Sequence, residues 1–152
     1  MTPEERLAEL GRPVPEVARP VASYVPAVRS GPWVFTSGQL PMVSGSLAAT
    51  GKVGAEVTPE AAKDLAATCA LNALAAVRAE IGDLSQVVRV VKLVGFVASA
   101  PQFTGQPAVV NGASELLQAA FGDIGVHARS AVGVAVLPLD APVEVELIVE
   151  VR

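Results

Sequence analysis

Nine residues, Val143-Glu-Val-Glu-Leu-Ile-Val-Glu-Val151, alternate apolar and polar side chains almost without a break. Period two is the repeat of an extended strand. It sends Val143, Val145, Leu147, Val149 and Val151 to one side and Glu144, Glu146, Ile148 and Glu150 to the other. Such a strand belongs to a sheet whose one face is covered. The preceding segment, Ser130 to Leu137, alternates as well, with Ala131, Gly133 and Ala135 set against Val132, Val134 and Val136. Pro138-Leu139-Asp140-Ala141-Pro142 marks the turn between the two strands. A second sheet face that is small and apolar is poorly suited to water, so it is expected to pack against further copies of the chain.

The rest of the chain supplies the cover. Thr2-Pro3-Glu4-Glu5 carries a capping box and opens a short helix that Gly11 ends. Arg12 to Pro20, with three prolines, is an extended connector. Ala22 to Val28 and Trp33 to Gln39 are expected to form a hairpin around Arg29-Ser30-Gly31-Pro32. Gln39 to Val57 is a long loop. Thr58-Pro59 caps a second helix, on which Leu65, Cys69, Ala70, Leu74, Val77 and Ile81 recur at helical spacing up to Gly82. Val87 to Val97, VVRVVKLVGFV, is rich in β-branched residues, apolar on both faces apart from Arg89 and Lys92, and suits a central strand buried on both faces. Pro107 to Phe121 is a third helix. The order is β-β-α-β-α-β-β behind a short leading helix. This is an α+β domain, 1–152, with a mixed β-sheet and two helices on one face; residues 1–20 form its leading helix and connector.

Composition narrows the function classes. Only 17% of the residues are charged, against about a quarter in ordinary domains. Net charge is −4 with no basic run, which gives nucleic acid no electrostatic footprint. The uncharged runs Ser30–Gly51 and Leu93–Ser114 are broken by Gly, Pro, Gln and Asn, unlike a membrane helix. A single cysteine, Cys69, fits a reducing compartment, and a cytoplasmic location is expected. One histidine and one cysteine do not make a usual zinc site, and no cofactor is expected. Gly45 to Lys52, GSLAATGK, fails as a phosphate loop: its spacing is one residue too long and Val53 replaces the required Ser or Thr.

Four segments, in order, resemble the RidA/YjgF family of small trimeric imine deaminases. They are Ser23-Tyr24-Val25, Phe35-Thr36-Ser37-Gly38-Gln39-Leu40-Pro41, Asn111 within Val110-Asn111-Gly112, and Ala128-Arg129-Ser130 followed by Leu137-Pro138 and Val143-Glu144-Val145-Glu146. The resemblance runs from about Pro20 onward. It implies a chorismate-mutase-like fold, a homotrimer with a barrel-like core, and clefts at the subunit boundaries. Its pattern departs in several places, among them a few residues added around Pro101 to Gln106. Ala131 stands where a cysteine or threonine is frequent, His127 stands where a proline is frequent, and the leading helix and the loop Met42–Val57 are longer.

The residues that carry chemistry follow from both readings. The guanidinium of Arg129, placed at the mouth of its strand, is a planar fork that matches a carboxylate; the competing reading is a structural ion pair. The resemblance makes Arg129 the anchor for a small 2-imino or 2-keto carboxylate. It makes Glu144 the catalytic group that positions water; the plainer reading of Glu144 is a rim residue. Tyr24, Ser37, Gly38 and Asn111 are the further substrate-binding candidates, with Ser37 and Gly38 offering strand-end backbone groups. Glu146 and His127 are read as structural, and Cys69 as a buried inert thiol. The implied activity is hydrolysis of reactive enamine or imine intermediates to a 2-keto acid and ammonia, without metal or cofactor. The alternative is a binding protein that holds a keto acid in the same cleft without turnover. Ribonuclease activity fits the acidic charge less well.

Overall fold

The structure is a computed structural model and describes residues 1–20 and 22–152. Helix α1 spans Pro3–Glu9. The Thr2 side chain accepts from Glu5 N (3.1 Å), and Glu5 Oε2 accepts from Thr2 N (2.8 Å), so both partners of the capping box are present. The helix is docked, because Leu7 is fully buried and Arg6 Nη1 donates to Ala120 O (2.8 Å). The connector then crosses the second helix, where Arg12 pairs with Asp64 and Arg78 donates to the carbonyls of Val14 and Pro15.

Strands β1 (Ala27–Ser30) and β2 (Trp33–Thr36) form the expected hairpin, but each is shorter than its apolar pattern. Pro26 has no N–H to give to a ladder, and residues 22–24 bend. The long loop is not bare. Strands β3 (Met42–Val43) and β4 (Ser46–Leu47) make a two-residue hairpin with Ser44 and Gly45 both at positive φ. Buried Asn72 donates to Leu40 O (2.9 Å) and Met42 O (3.0 Å), and Val53 N donates to Ala98 O (2.8 Å). The loop is thus fixed to the body at both ends.

Helix α2 spans Pro59–Ile81, with Thr58 accepting from Ala61 N and Gly82 as its C-cap. Strand β5 (Val87–Ala98) follows, then α3 (Gln106–Phe121), β6 (Ala128–Val134) and β7 (Val143–Val151). The five long strands are ordered β1-β2-β7-β5-β6, with only β5–β6 parallel. Helices α2 and α3 cover one face. Under them lie Val34, Leu93, Val143, Val145, Leu147, Val149 and Val151, together with Leu74, Val109 and Leu117 from the helices. Each fully buried leucine contributes roughly 2 kcal/mol.

Three expectations need correction. β6 begins at Ala128 and stops at Val134, so Arg129 lies inside a strand and not at its mouth; the parallel ladder to β5 starts at Lys92–Ala128 and ends at Ala98–Val134. β5 is covered on one face only: Val90, Leu93 and Val97 are fully buried, whereas Val88 on the other side is 38% exposed. The small residues of β6 do not form the outer face. Ala131 packs against the core, and a Cβ on Gly133 would meet Gln106 Nε2 of α3. The outer face instead carries Val28, Trp33, Phe35 and Val132, all exposed, with Glu144, Glu146 and Ile148 among them. The alternation of β6 therefore turns Ala131 and Gly133 toward the helices and Val132 outward, the reverse of the expected sides.

Gly112 sets the spacing between the helices. A Cβ there would overlap Lys63 O and come within 2.8 Å of its carbonyl carbon, so α3 crosses α2 backbone against side-chain-free backbone. An alanine in a helix ordinarily stabilises relative to glycine by about 0.5–1 kcal/mol. Here overpacking at the crossing outweighs that gain, and Gly112→Ala is expected to destabilise by about 1–3 kcal/mol. The midpoint of urea unfolding reads the sign directly, and a midpoint above wild type would contradict the crossing.

Candidate active site

The β2–β7 ladder contains an irregularity that builds one corner of the site. Trp33, Val34 and Phe35 face Glu150, Val149 and Ile148 in register. The next bridge is Gln39 to Val145, with Gln39 N donating to Val145 O (2.8 Å) and Val145 N to Gln39 O (3.0 Å). Between these points β2 uses one residue more than β7, which is a bulge. The Thr36 hydroxyl fills the gap by accepting from Leu147 N (2.9 Å). Ser37 is tied back to the first strand's entry, its N–H to Pro26 O (2.8 Å) and its hydroxyl to Val25 O (2.6 Å). The hydroxyl is therefore already engaged.

The extra residue brings Gly38 onto the Glu144 side chain. A Cβ at Gly38 would overlap Glu144 Oε2 and lie 2.8 Å from Cδ, so only glycine lets the carboxylate rest against this backbone. Gly38 also lines a small recess with Tyr24, Pro26, Gln39, Arg19 and Met42. Gly38 therefore borders both the Tyr24 recess and the Glu144 carboxylate, while the Ser37 side chain is turned toward Val25. Burial raises the Glu144 pKa above the ordinary carboxylate value, and the charge of Glu146, on the same face, raises it further.

A second cluster forms on the edge strand. Arg129 stands opposite Leu93, and Leu93 opposite Leu147, so its side chain points to the helix face. Its Nη1 donates to Asn111 Oδ1 (2.8 Å) and Ser114 Oγ (3.1 Å), and its Nη2 donates to Pro107 O (3.0 Å). Asn111 and Ser114 stand one turn apart on α3 and face β6 together. No carboxylate pairs with Arg129 among the described residues. A guanidinium has five N–H donors; with three engaged, Nε–H and one Nη2–H are left for a ligand.

The two clusters do not meet within one chain. Glu144 lies on the outer face, opposite Phe96, and Arg129 on the helix face. With one strand between them and three residues of offset, their Cα atoms are roughly 14 Å apart. Arg129, Asn111, Gly38 and Glu144 had been singled out from the sequence, as had Tyr24 and Ser37. Ser114 and the Pro107 carbonyl had not. The available signal for Ser114 was a hydroxyl within the apolar stripe Val110, Ala113, Leu117, one turn after Asn111. Cys69 is fully buried, and burial raises its thiol pKa well above the ordinary value, consistent with an inert thiol.

The sequence profile described as "YjgF/chorismate mutase-like, putative endoribonuclease" matches residues 4–151. The chain belongs to the YjgF/RidA family. Protein TCP17 of Trypanosoma cruzi is 46% identical over 147 residues, spanning 96% of this chain and 92% of that protein. The crystal structure of Atu1372, a protein of unknown function from Agrobacterium tumefaciens, is 50% identical and superimposes with a TM-score of 0.93 over 99% of this chain and 92% of that one. Escherichia coli TdcF, solved with bound serine, is 26% identical with a TM-score of 0.63 over 90% of this chain and 94% of that one. The YjgF fold places α2 and α3 over one face and leaves the other to the aromatic pair Trp33 and Phe35. No described helix is long and apolar enough to cross a membrane.

The raised pKa of Glu144 has a stability consequence. The unfolded chain releases this proton near the ordinary value of 4.5, and the fold releases it at higher pH. Between those values the fold binds more protons, so stability falls as pH rises through the window. Glu144→Gln is expected to raise the melting temperature at about pH 7, with the difference closing near about pH 4. Thermal unfolding across that range checks it; a variant less stable than wild type at neutral pH would overturn the assignment.

Proposed function

We propose that the chain is a hydrolytic deaminase of enamine and imine intermediates, of the 2-iminopropanoate or 2-aminoacrylate type. The observation that carries this reading is Arg129 itself, held in place by Asn111, Ser114 and Pro107, with two N–H donors left over and no carboxylate partner among the described residues. A small substrate carboxylate fits those donors. Serine, the molecule bound in TdcF, is an amino acid with the same carboxylate. The reading assigns Asn111 to fixing the anchor. Tyr24 and the Gly38 backbone border the reacting end, and Glu144 holds the water.

The reaction needs little else. Water oxygen adds to the imine carbon while the imine nitrogen takes a proton, giving a carbinolamine. The C–N bond then breaks, its electrons leave with nitrogen as ammonia, and the hydroxyl loses its proton to become the ketone. A carboxyl group whose pKa is raised by burial holds its proton more readily than an ordinary carboxylate, which suits exchange with both the water and the leaving nitrogen. Arg129 and Glu144 lie on opposite faces of one sheet, so a joint site requires Arg129 of one copy beside Glu144 of another. A homotrimer that buries Val28, Trp33, Phe35 and Val132 supplies that boundary.

One observation favours a second reading, in which the cleft binds a keto acid without turning it over. Ala131, two residues beyond Arg129, is apolar and packed against the core, so it contributes no polar group to chemistry. Endoribonuclease, the activity in the family description, is less well supported, because the chain is acidic and has one histidine, whose ring nitrogens already have protein partners.

Arg129→Ala is expected to lower kcat/KM for imine hydrolysis by at least about 100-fold, from the loss of two charged hydrogen bonds at about 1.5–3 kcal/mol each. The measurement is ammonia release from imines generated in place by an amino-acid oxidase; unchanged turnover would sink the anchor. For the shared site, light scattering is expected to give three times the 15.5 kDa chain mass. Co-assembled Arg129→Ala and Glu144→Gln chains are expected to recover activity that neither variant has alone. Failure to complement in a mixed trimer would place both groups in one subunit's reach.

A further inference from the structure

Three hydrogen bonds run in series behind the anchor. Arg129 Nη1 donates to Ser114 Oγ at 3.1 Å, Ser114 Oγ lies 2.9 Å from His127 Nε2, and His127 Nδ1 lies 2.6 Å from Gly125 O. A carbonyl oxygen only accepts, so the proton of a neutral ring sits on Nδ1 and bonds Gly125. Nε2 then has a lone pair and no proton. The Ser114 hydroxyl must therefore donate to Nε2, and its remaining lone pairs face Arg129. Each donor points away from the guanidinium, and the chain ends on a backbone carbonyl that cannot turn.

That carbonyl is itself fixed. A Cβ at Gly125 would overlap Leu117 O, so the turn between α3 and β6 is packed directly on the α3 backbone. Ser114 is buried, with 7% of its surface exposed. A buried hydroxyl without an acceptor for its proton would be free to rotate and to turn that proton toward Arg129. His127 removes this freedom. Asn111 and Pro107 orient the outer side of the guanidinium, and the serine–imidazole pair orients its inner side.

The geometry points to Ser114 and His127 as positioning residues for carboxylate binding: His127, as the Nδ1–H tautomer, sets the Ser114 hydroxyl so that its oxygen holds Arg129 Nη1 and leaves Nε–H and one Nη2–H for the substrate. This inference rests on the reading of Arg129 as the carboxylate anchor. The aim of the fork affects ground state and transition state alike, so its loss raises KM and leaves kcat nearly unchanged.

The test uses the assembled protein, with pyruvate as the carboxylate probe. The chain has one histidine, so nitrogen-15 spectra report His127 without overlap. Expected is the Nδ1–H tautomer in the free protein. Pyruvate is expected to shift the Nε2 signal in wild type and not in Ser114→Ala. Ser114→Ala and His127→Ala are each expected to raise KM about tenfold with kcat within about twofold, the loss of one oriented hydrogen bond. His127→Gln, whose amide oxygen can take the Nε2 place, is expected to bring KM back to within about threefold of wild type. An Nε2–H tautomer, or Ser114→Ala kinetics equal to wild type, would overturn the inference. Pyruvate binding that survives Arg129→Ala would instead overturn the anchor itself, so the two failures are distinguishable.

Discussion

The site depends on the alternation of β7. Five apolar side chains from this strand enter the core under α2 and α3, and the four between them are committed to the opposite face. Glu144 cannot join the helix side without turning Val143 and Val145 outward, because a one-residue slip exchanges every side chain of a strand. β7 lies between β2 and β5, so its register is held from both edges. The catalytic candidate is therefore positioned by the same pattern that builds the core.

The two polar clusters are made by different physical means. Around Glu144 the chain brings a carboxylate against bare backbone: a bulge delivers Gly38, and the lack of a Cβ provides the space. Partial burial then makes the charged form less favourable. Around Arg129 a charged group is oriented by neutral acceptors, an amide oxygen, a hydroxyl and a carbonyl. None of these neutralises it, and its charge is left for a ligand. Opposite electrostatic treatment of the two groups suits a reaction that holds one charge fixed and moves protons at the other end of a small molecule.

Much of this was readable from the residues, and the rest was not for identifiable reasons. The Thr2–Glu5 capping box, the Thr58 cap and the prolines at Pro3 and Pro59 located two helices to within a residue. The strict alternation of 143–151 fixed β7 and the faces of its side chains. The short strands were overextended because apolar character does not register a missing proline N–H at Pro26. The faces of β6 were exchanged because small residues read as a thin outer layer, while in the fold they make room for α3. The bulge at Thr36–Gly38 needs the partner strand to be seen at all. Ser114 and the contacts of His127 are not legible in the sequence because they form a three-bond series through α3, the turn after it and β6, which no local spacing encodes.

The position of β7 also bears on how the chain comes off the ribosome. It is the last of the long strands in sequence and sits in the interior of the sheet, between β2 and β5. Until residues 143–151 emerge, the nascent chain has a β1–β2 hairpin and a β5–β6 pair with no strand to join them. Two open edges and an uncovered set of valines then wait together for a single insertion. Pairing of Trp33 with Glu150 spans most of the chain length, a non-local closure of the slow kind. The β2 and β5 edges are thus the ones left open until β7 inserts, and exposed edges of this kind are where aggregation starts.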